Sequence, residues 1–94
     1  MEDVNQIALF PMGRIVMTKG IHLAIAADEM LTALLRHANG DWGDVCDEDR
    51  RSNEEALERH FRLFSVYHAS DKTKFWIITE ADRSCTTILL PEEY

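Results

Sequence analysis

The sequence predicts an α+β domain, with about three helices packed on one face of a three- to four-stranded antiparallel sheet. Three observations carry this. Segment 21–38 is rich in Ala, Leu and Met, with apolar residues at helical spacing. The last third alternates short β-forming runs with turn residues, and Phe75-Trp76-Ile77-Ile78 within it is apolar on both faces. With 94 residues, 46% of them hydrophobic, the chain has apolar content for one small core, so 1–94 reads as a single domain.

Residues 1–13 read as an amino-terminal arm, whose apolar stretch Ile7 to Phe10 ends at Pro11 and Gly13. Arg14 to Thr18 alternates as a short strand, with Ile15 and Met17 on one face. In the helical segment, Ala27, Met30, Leu31, Leu34, Leu35 and Ala38 form a stripe closed by Asn39-Gly40. The carboxylate of Asp28 can cap a first turn, so two helices bent near Ala27-Asp28 are preferred to one.

Gly40-Asp41-Trp42-Gly43-Asp44 has turn composition. A third helix follows, started by the capping-box spacing Ser52-x-x-Glu55 or by Asp47, with Asn53, Leu57 and Phe61 on one face. The carboxy-terminal third is a three-strand meander: Arg62 to His68, Lys74 to Glu80 and Cys85 to Leu90, ended by Pro91. The expected core is Ile15, Met17, Leu31, Leu34, Leu35, Leu57, Phe61, Phe64, Val66, Trp76, Ile78 and Ile88. Because the central strand is apolar on both sides, the arm or a second copy is expected over the face that the helices leave open, which makes a homodimer a candidate assembly.

Charge is concentrated. The net charge is -7, and Asp41 to Glu58 holds eight acids against Arg50 and Arg51, leaving nine acids and eight bases elsewhere. Phosphate binding runs on clustered Lys and Arg, so direct nucleic-acid binding is not expected. No apolar run reaches the ~18–20 residues of a membrane span, and Met1-Glu2-Asp3 does not begin a secretory signal. A cytoplasmic location is expected, with Cys46 and Cys85 as free thiols outside any Cys-x-x-Cys pattern.

Signals for chemistry are sparse. Asp41, Asp44, Asp47, Asp49 and Asn53 are hard oxygen donors suited to calcium or magnesium, but their spacing departs from an EF-hand and acids before a helix also serve its dipole. The four histidines and two thiols lack paired zinc-ligand spacing. No nucleophile elbow, phosphate loop or dinucleotide fingerprint is present, so no metal, cofactor or catalytic residue is assigned. Glu80-Ala81-Asp82-Arg83-Ser84 reads as a turn in which Arg83 can reach Asp82 or an acid of the 41–49 segment and fix this loop against the third helix. The functional alternative makes that turn, with Trp42, a recognition surface.

Gly40-Asp41-Trp42-Gly43-Asp44, Asp49-Arg50-Arg51 with Asn53, Ile77-Ile78-Thr79-Glu80-Ala81-Asp82-Arg83-Ser84 and Thr86-Thr87-Ile88-Leu89-Leu90-Pro91 resemble a group of short bacterial proteins carried on plasmids and integrative elements. The resemblance spans roughly 8–94. The start of the second helix departs from relatives that have a Ser-Pro break near 28–29. Some of these plasmid-related proteins carry the label of a type I restriction–modification subunit, yet 94 residues leave no room for a methyltransferase domain. The resemblance implies a mobile-element context and brings no catalytic residue or cofactor with it.

The leading expectation is a non-catalytic protein–protein interaction protein of a mobile element, acting as an acidic inhibitor or modulator of a nucleic-acid-handling or defence protein. Its candidate partner-binding residues are Asp41, Trp42, Asp44, Asp47, Glu48, Asp49, Asn53, Asp82 and Arg83. The alternatives are a small metal-dependent hydrolase or ligand-binding enzyme built on Asp41, Asp44, Asn53, Glu80 and Asp82, and a structural homodimer.

Overall fold

A computed structural model describes residues 8–94. Strand β1 (Arg14–Met17) leads through α1 (Lys19–Ala24) and α2 (Ala27–Ala38) to α3 (Asp47–Arg59). Strands β2 (Leu63–His68), β3 (Lys74–Thr79) and β4 (Cys85–Leu89) follow, and a 3-10 turn at Pro91–Glu93 ends the fold. The architecture is α+β, with strand order β1-β4-β3-β2.

β2, β3 and β4 form the antiparallel meander. The expectation of an antiparallel sheet throughout is corrected at β1, which lies parallel to β4 with Ile15 opposite Thr86 and Met17 opposite Ile88. A tight turn forces neighbouring strands to be antiparallel, but β1 and β4 are joined only through the helices and the other two strands, so nothing local sets their direction.

The register sorts side chains into two faces. Ser65, Tyr67, Phe75, Ile77, Thr79, Thr86 and Ile88 point to the inner face, which α2 covers with buried Met30, Ala33, Leu34, His37 and Ala38. This stripe is turned from the expected one: Ala33 and His37 replace Leu31, which is 55% exposed, while Leu35 is half-buried. A polar His at its centre conceals the stripe's true axis. Met17 and Phe61 are likewise exposed against expectation. Met17 sits on an edge strand, and α3 stops at His60, whose left-handed φ of 59° turns Phe61 off the helix face.

In the described part of the 1–13 arm, Phe10 and Met12 are buried in the core; residues 1–7 lie outside the described residues. The bend falls at Ile25-Ala26 rather than Ala27-Asp28. Extended backbone there lets Ile25 join Ile21 in the core, and Asp28 occupies the first turn of α2 without capping it. α3 starts after Cys46, so Ser52 is mid-helix, and Asp47, Glu48 and Asp49 face the positive end of the helix dipole.

The outer face carries Phe64, Val66, Trp76, Ile78 and Leu89. The carboxy-terminal segment leans on it: Tyr94 meets the Trp76 ring edge-on at 5.8 Å, and Phe64 meets Trp76 at 5.1 Å. Glu93 ties this segment to the start of α1, accepting from the Thr18 hydroxyl and the Gly20 amide. The chain's own carboxy-terminal segment therefore packs on this side of the central strand.

Candidate functional site

α2 ends in a Schellman turn: the Asp41 amide donates to the Arg36 carbonyl at 2.9 Å, and the Gly40 amide to that of His37 at 3.1 Å. Gly40 has the left-handed φ of +79° that this closure needs. The turn lays Trp42–Asp44 along the free edge of β2. There the Val66 amide donates to the Trp42 carbonyl at 3.1 Å, and the Asp44 amide donates to the Val66 carbonyl at 2.8 Å. Gly43 is required at the crossing, because a Cβ there would stand 2.0 Å from the Val66 carbonyl oxygen.

The next residue along the edge, Phe64, is satisfied by one side chain. Asn53 donates Nδ2–H to the Phe64 carbonyl at 2.7 Å and accepts the Phe64 amide on Oδ1 at 3.0 Å. A side-chain amide carries an N–H donor and a C=O acceptor side by side, so one Asn answers both backbone groups at once. α3 is thereby docked beside the sheet edge. A second tie comes from Trp42, whose Nε1–H donates to Glu54 at 2.8 Å.

Arg83 supplies the third tie. It sits in the β3–β4 turn with a φ of 61°, and its guanidinium donates to the carbonyls of Ala56 at 2.8 Å and Phe61 at 2.7 Å. It also donates to Glu80 and Ala81 in its own turn. The loop is fixed against the third helix, as the turn composition suggested, but carbonyls at the helix carboxyl end replace the expected carboxylate. Their dipole favours the cation, while burial lowers the Arg83 pKa. Asp82 instead accepts the Ser84 amide at 2.9 Å, and the Ser84 hydroxyl, with that turn bond second, holds its pKa down.

Beneath Trp42 lies the fully buried His37, between Phe10 and Trp42 edge-on contacts at 5.4 and 5.6 Å. Its protonation state follows by counting protons outward from a backbone carbonyl. The Thr86 hydroxyl donates to the Met12 carbonyl at 2.7 Å, so Thr86 accepts from Thr79. Thr79 has then used its proton and accepts from His37 Nε2–H at 2.9 Å. Nδ1 is left as an acceptor for the Ser65 hydroxyl at 2.6 Å. Burial pushes His37 down to about 3, and the nearby Arg83 charge adds to the effect. The ring is a neutral strut joining α2 to β2, β3 and β4.

These contacts reassign part of the sequence-predicted surface. Trp42, Asn53 and Arg83 are 1%, 3% and 8% exposed, so their side chains belong to the interior and do not present themselves to a partner. Asp41 is exposed but committed: Arg36 forks onto it at 2.7 and 3.2 Å, which lowers the Asp41 pKa, and the Tyr67 hydroxyl donates to its carbonyl. Asp44 pairs with His68 at 2.7 Å. Asp47 and Glu48 are exposed on α3, and Asp49 is half-buried.

Asp41, Asp44, Asn53, Glu80 and Asp82 are not gathered into one site. Among the described residues no group of three His, Cys, Asp or Glu side chains could hold a metal. Also among the described residues, no buried side-chain nitrogen or oxygen lacks a partner, and no helix is long and apolar enough to cross a membrane.

The sequence reading missed His37, Ser65 and Thr79. Three polar residues spread over 42 positions show no pattern in one dimension; the only clue was a histidine at buried helix phase. It also missed an apolar groove beside β1, because its walls come from four separate elements. Comparison with known protein families, curated proteins and solved structures found no match.

Proposed function

We propose that this chain is a non-catalytic protein-interaction domain of a bacterial mobile element, which presents α3 to a basic surface on a nucleic-acid-handling or defence protein. One observation carries the reading. Of the thirteen residues of α3 only Asn53 and Ala56 are buried, yet the helix is tied down by Asn53, Glu54 and the Ala56 carbonyl through three separate parts of the fold. A helix that adds so little to the core is held in place for what it displays. Its exposed positions carry Asp47, Glu48, Glu54, Glu55 and Glu58 against Arg50, Arg51 and Arg59, a net acidic surface within the segment that concentrates the chain's negative charge. Such a surface repels phosphate and steers toward Lys- and Arg-rich protein surfaces.

The test is capture from nuclease-treated bacterial lysate, read by mass spectrometry. The native chain is compared with an Asp47→Asn, Glu48→Gln, Glu55→Gln, Glu58→Gln variant of unchanged circular dichroism. A stoichiometric partner retained by the native chain, lost in the variant and released by salt is the expected result. Equal retention by both, or by neither, would overturn the reading.

A further inference from the structure

The two edges of the sheet are treated differently. The β2 edge is closed by Trp42–Asp44 and Asn53. The β1 edge is not: among the described residues β1 pairs with β4 alone. The Arg14 amide donates to Ser84 and the Thr18 amide to Ile88, so residues 14, 16 and 18 bond to β4. Strand alternation then aims the amides and carbonyls of Ile15 and Met17 at the open edge. The side chains of those two residues point to the inner face. There, with Met30, Leu31, Leu34 and Ile88, they line a groove of about 370 Å³ between β1 and α2. Open backbone and apolar groove thus belong to the same two residues, the combination that accepts an added strand.

We infer that the occupant is a second copy of this chain, joined through antiparallel pairing of the two β1 strands about a two-fold axis at Val16. This register sets Ile15 against Met17 of the partner subunit, with both pairs over the grooves. It also sets Arg14 against the second copy's Thr18, so no like charges meet across the ladder. Charge favours a self-contact here and nowhere near α3. With order β1-β4-β3-β2, the far strand lies about three and a half strand spacings, or ~17 Å, from the axis, and the acidic helix lies beyond it. That exceeds the ~8 Å screening length at physiological salt, so the two -6 segments lie at opposite ends of an eight-stranded sheet.

A four-residue strand is too short to hold a dimer by backbone bonds alone, since a stable interface needs ~800 Å² from each partner. The apolar groove beside it adds to the contact: Met17 and Leu31, which line it, are 51% and 55% exposed. The contact is independent of the acidic face, on the opposite edge.

Sedimentation velocity on the full chain over a concentration series, up to about 100 μM, tests the inference. The expected native species has twice the 10.8 kDa mass of one chain. Met17→Pro removes an outward amide and a half-exposed groove side chain, and Leu31→Glu charges a side chain already half in water, so both variants should keep their circular dichroism and dissociate at least tenfold more readily. In a Cys46→Ser, Cys85→Ser background, Val16→Cys should cross-link on oxidation, because the two-fold brings those positions to ~4.5 Å as a non-bonded pair. A native monomer throughout the series, leaving the groove to a foreign partner, would overturn the inference. So would a dimer that survives both variants, or a Val16→Cys chain that does not cross-link.

Discussion

His37 should make this fold acid-sensitive well above the range in which carboxylates titrate. In the unfolded chain its imidazole takes a proton near the ordinary 6.5, whereas in the fold it stays neutral until about 3. The unfolded form therefore binds more protons between those values. The His37 contribution to stability is complete above about pH 6.5 and is lost as pH falls toward 3. From pH 7 to pH 5 the loss is about 2 kcal/mol, with a slope approaching 1.4 kcal/mol per pH unit. For a domain of this size that lowers Tm by roughly 8–16 °C.

Urea unfolding at pH 7, 6 and 5 measures the slope, and His37→Gln isolates it. The variant removes one titrating group and keeps every other, so its curve should be flatter by the amount calculated, whatever its absolute stability. Nuclear magnetic resonance of the ring gives a second reading: the His37 carbons should not shift between pH 7 and pH 5, and Nε2 should carry the proton. Parallel slopes for the two proteins, or a His37 ring that titrates near 6.5 in the folded state, would refute the argument.

The three ties on α3 give further expectations. Asn53→Ala leaves the Phe64 amide and carbonyl without their partners and should cost about 2 kcal/mol, with faster hydrogen exchange at Phe64 and through α3. Arg83→Met strips donors from the Ala56 and Phe61 carbonyls and should cost about 2–4 kcal/mol in urea unfolding. Arg83→Lys should recover less than half, since one ammonium cannot span both carbonyls. The glycines should separate: Gly43→Ala meets backbone at 2.0 Å and should cost well over 2 kcal/mol, whereas Gly40→Ala faces only the flexible Leu9 at 3.1 Å and should cost about 1 kcal/mol in the same assay.

Much of the fold was legible because it rests on local pattern. The meander could be read from β-forming runs separated by turn residues, and each strand lies within a residue or so of its expected bounds. Asn39-Gly40 announced the end of α2 for the reason that operates there, a left-handed closure. The third helix was also legible, although Ser52-x-x-Glu55 suggested a start inside it; the spacing of a capping box is satisfied by chance wherever Ser and Glu share a helix face.

The site was harder to read, and Trp42, Asn53 and Arg83 show why. Each is polar or charged at one end and sits in a segment of turn composition or high charge, the ordinary marks of a surface. Each is buried because a particular backbone group needs it: Asn53 answers Phe64, Arg83 answers Ala56 and Phe61, and Trp42 covers His37 while reaching Glu54. Sequence spacing carries no information about which distant carbonyl will be left without a partner.

What the sequence determined by itself is what depends on neighbours along the chain: an α+β domain, the meander, the breaks between helices, and a strongly acidic segment at 41–58. What only the tertiary structure decided depends on pairs far apart in sequence. It decided that β1 joins β4 in parallel, that α2 is turned to bury His37, and that α3 is held at one sheet edge while, among the described residues, the β1 edge has no partner strand. The reason is physical. Local propensity acts over three or four residues, whereas strand direction, helix rotation and the pairing of buried polar groups are settled by contacts across tens of residues, and those exist only once the chain has closed on itself.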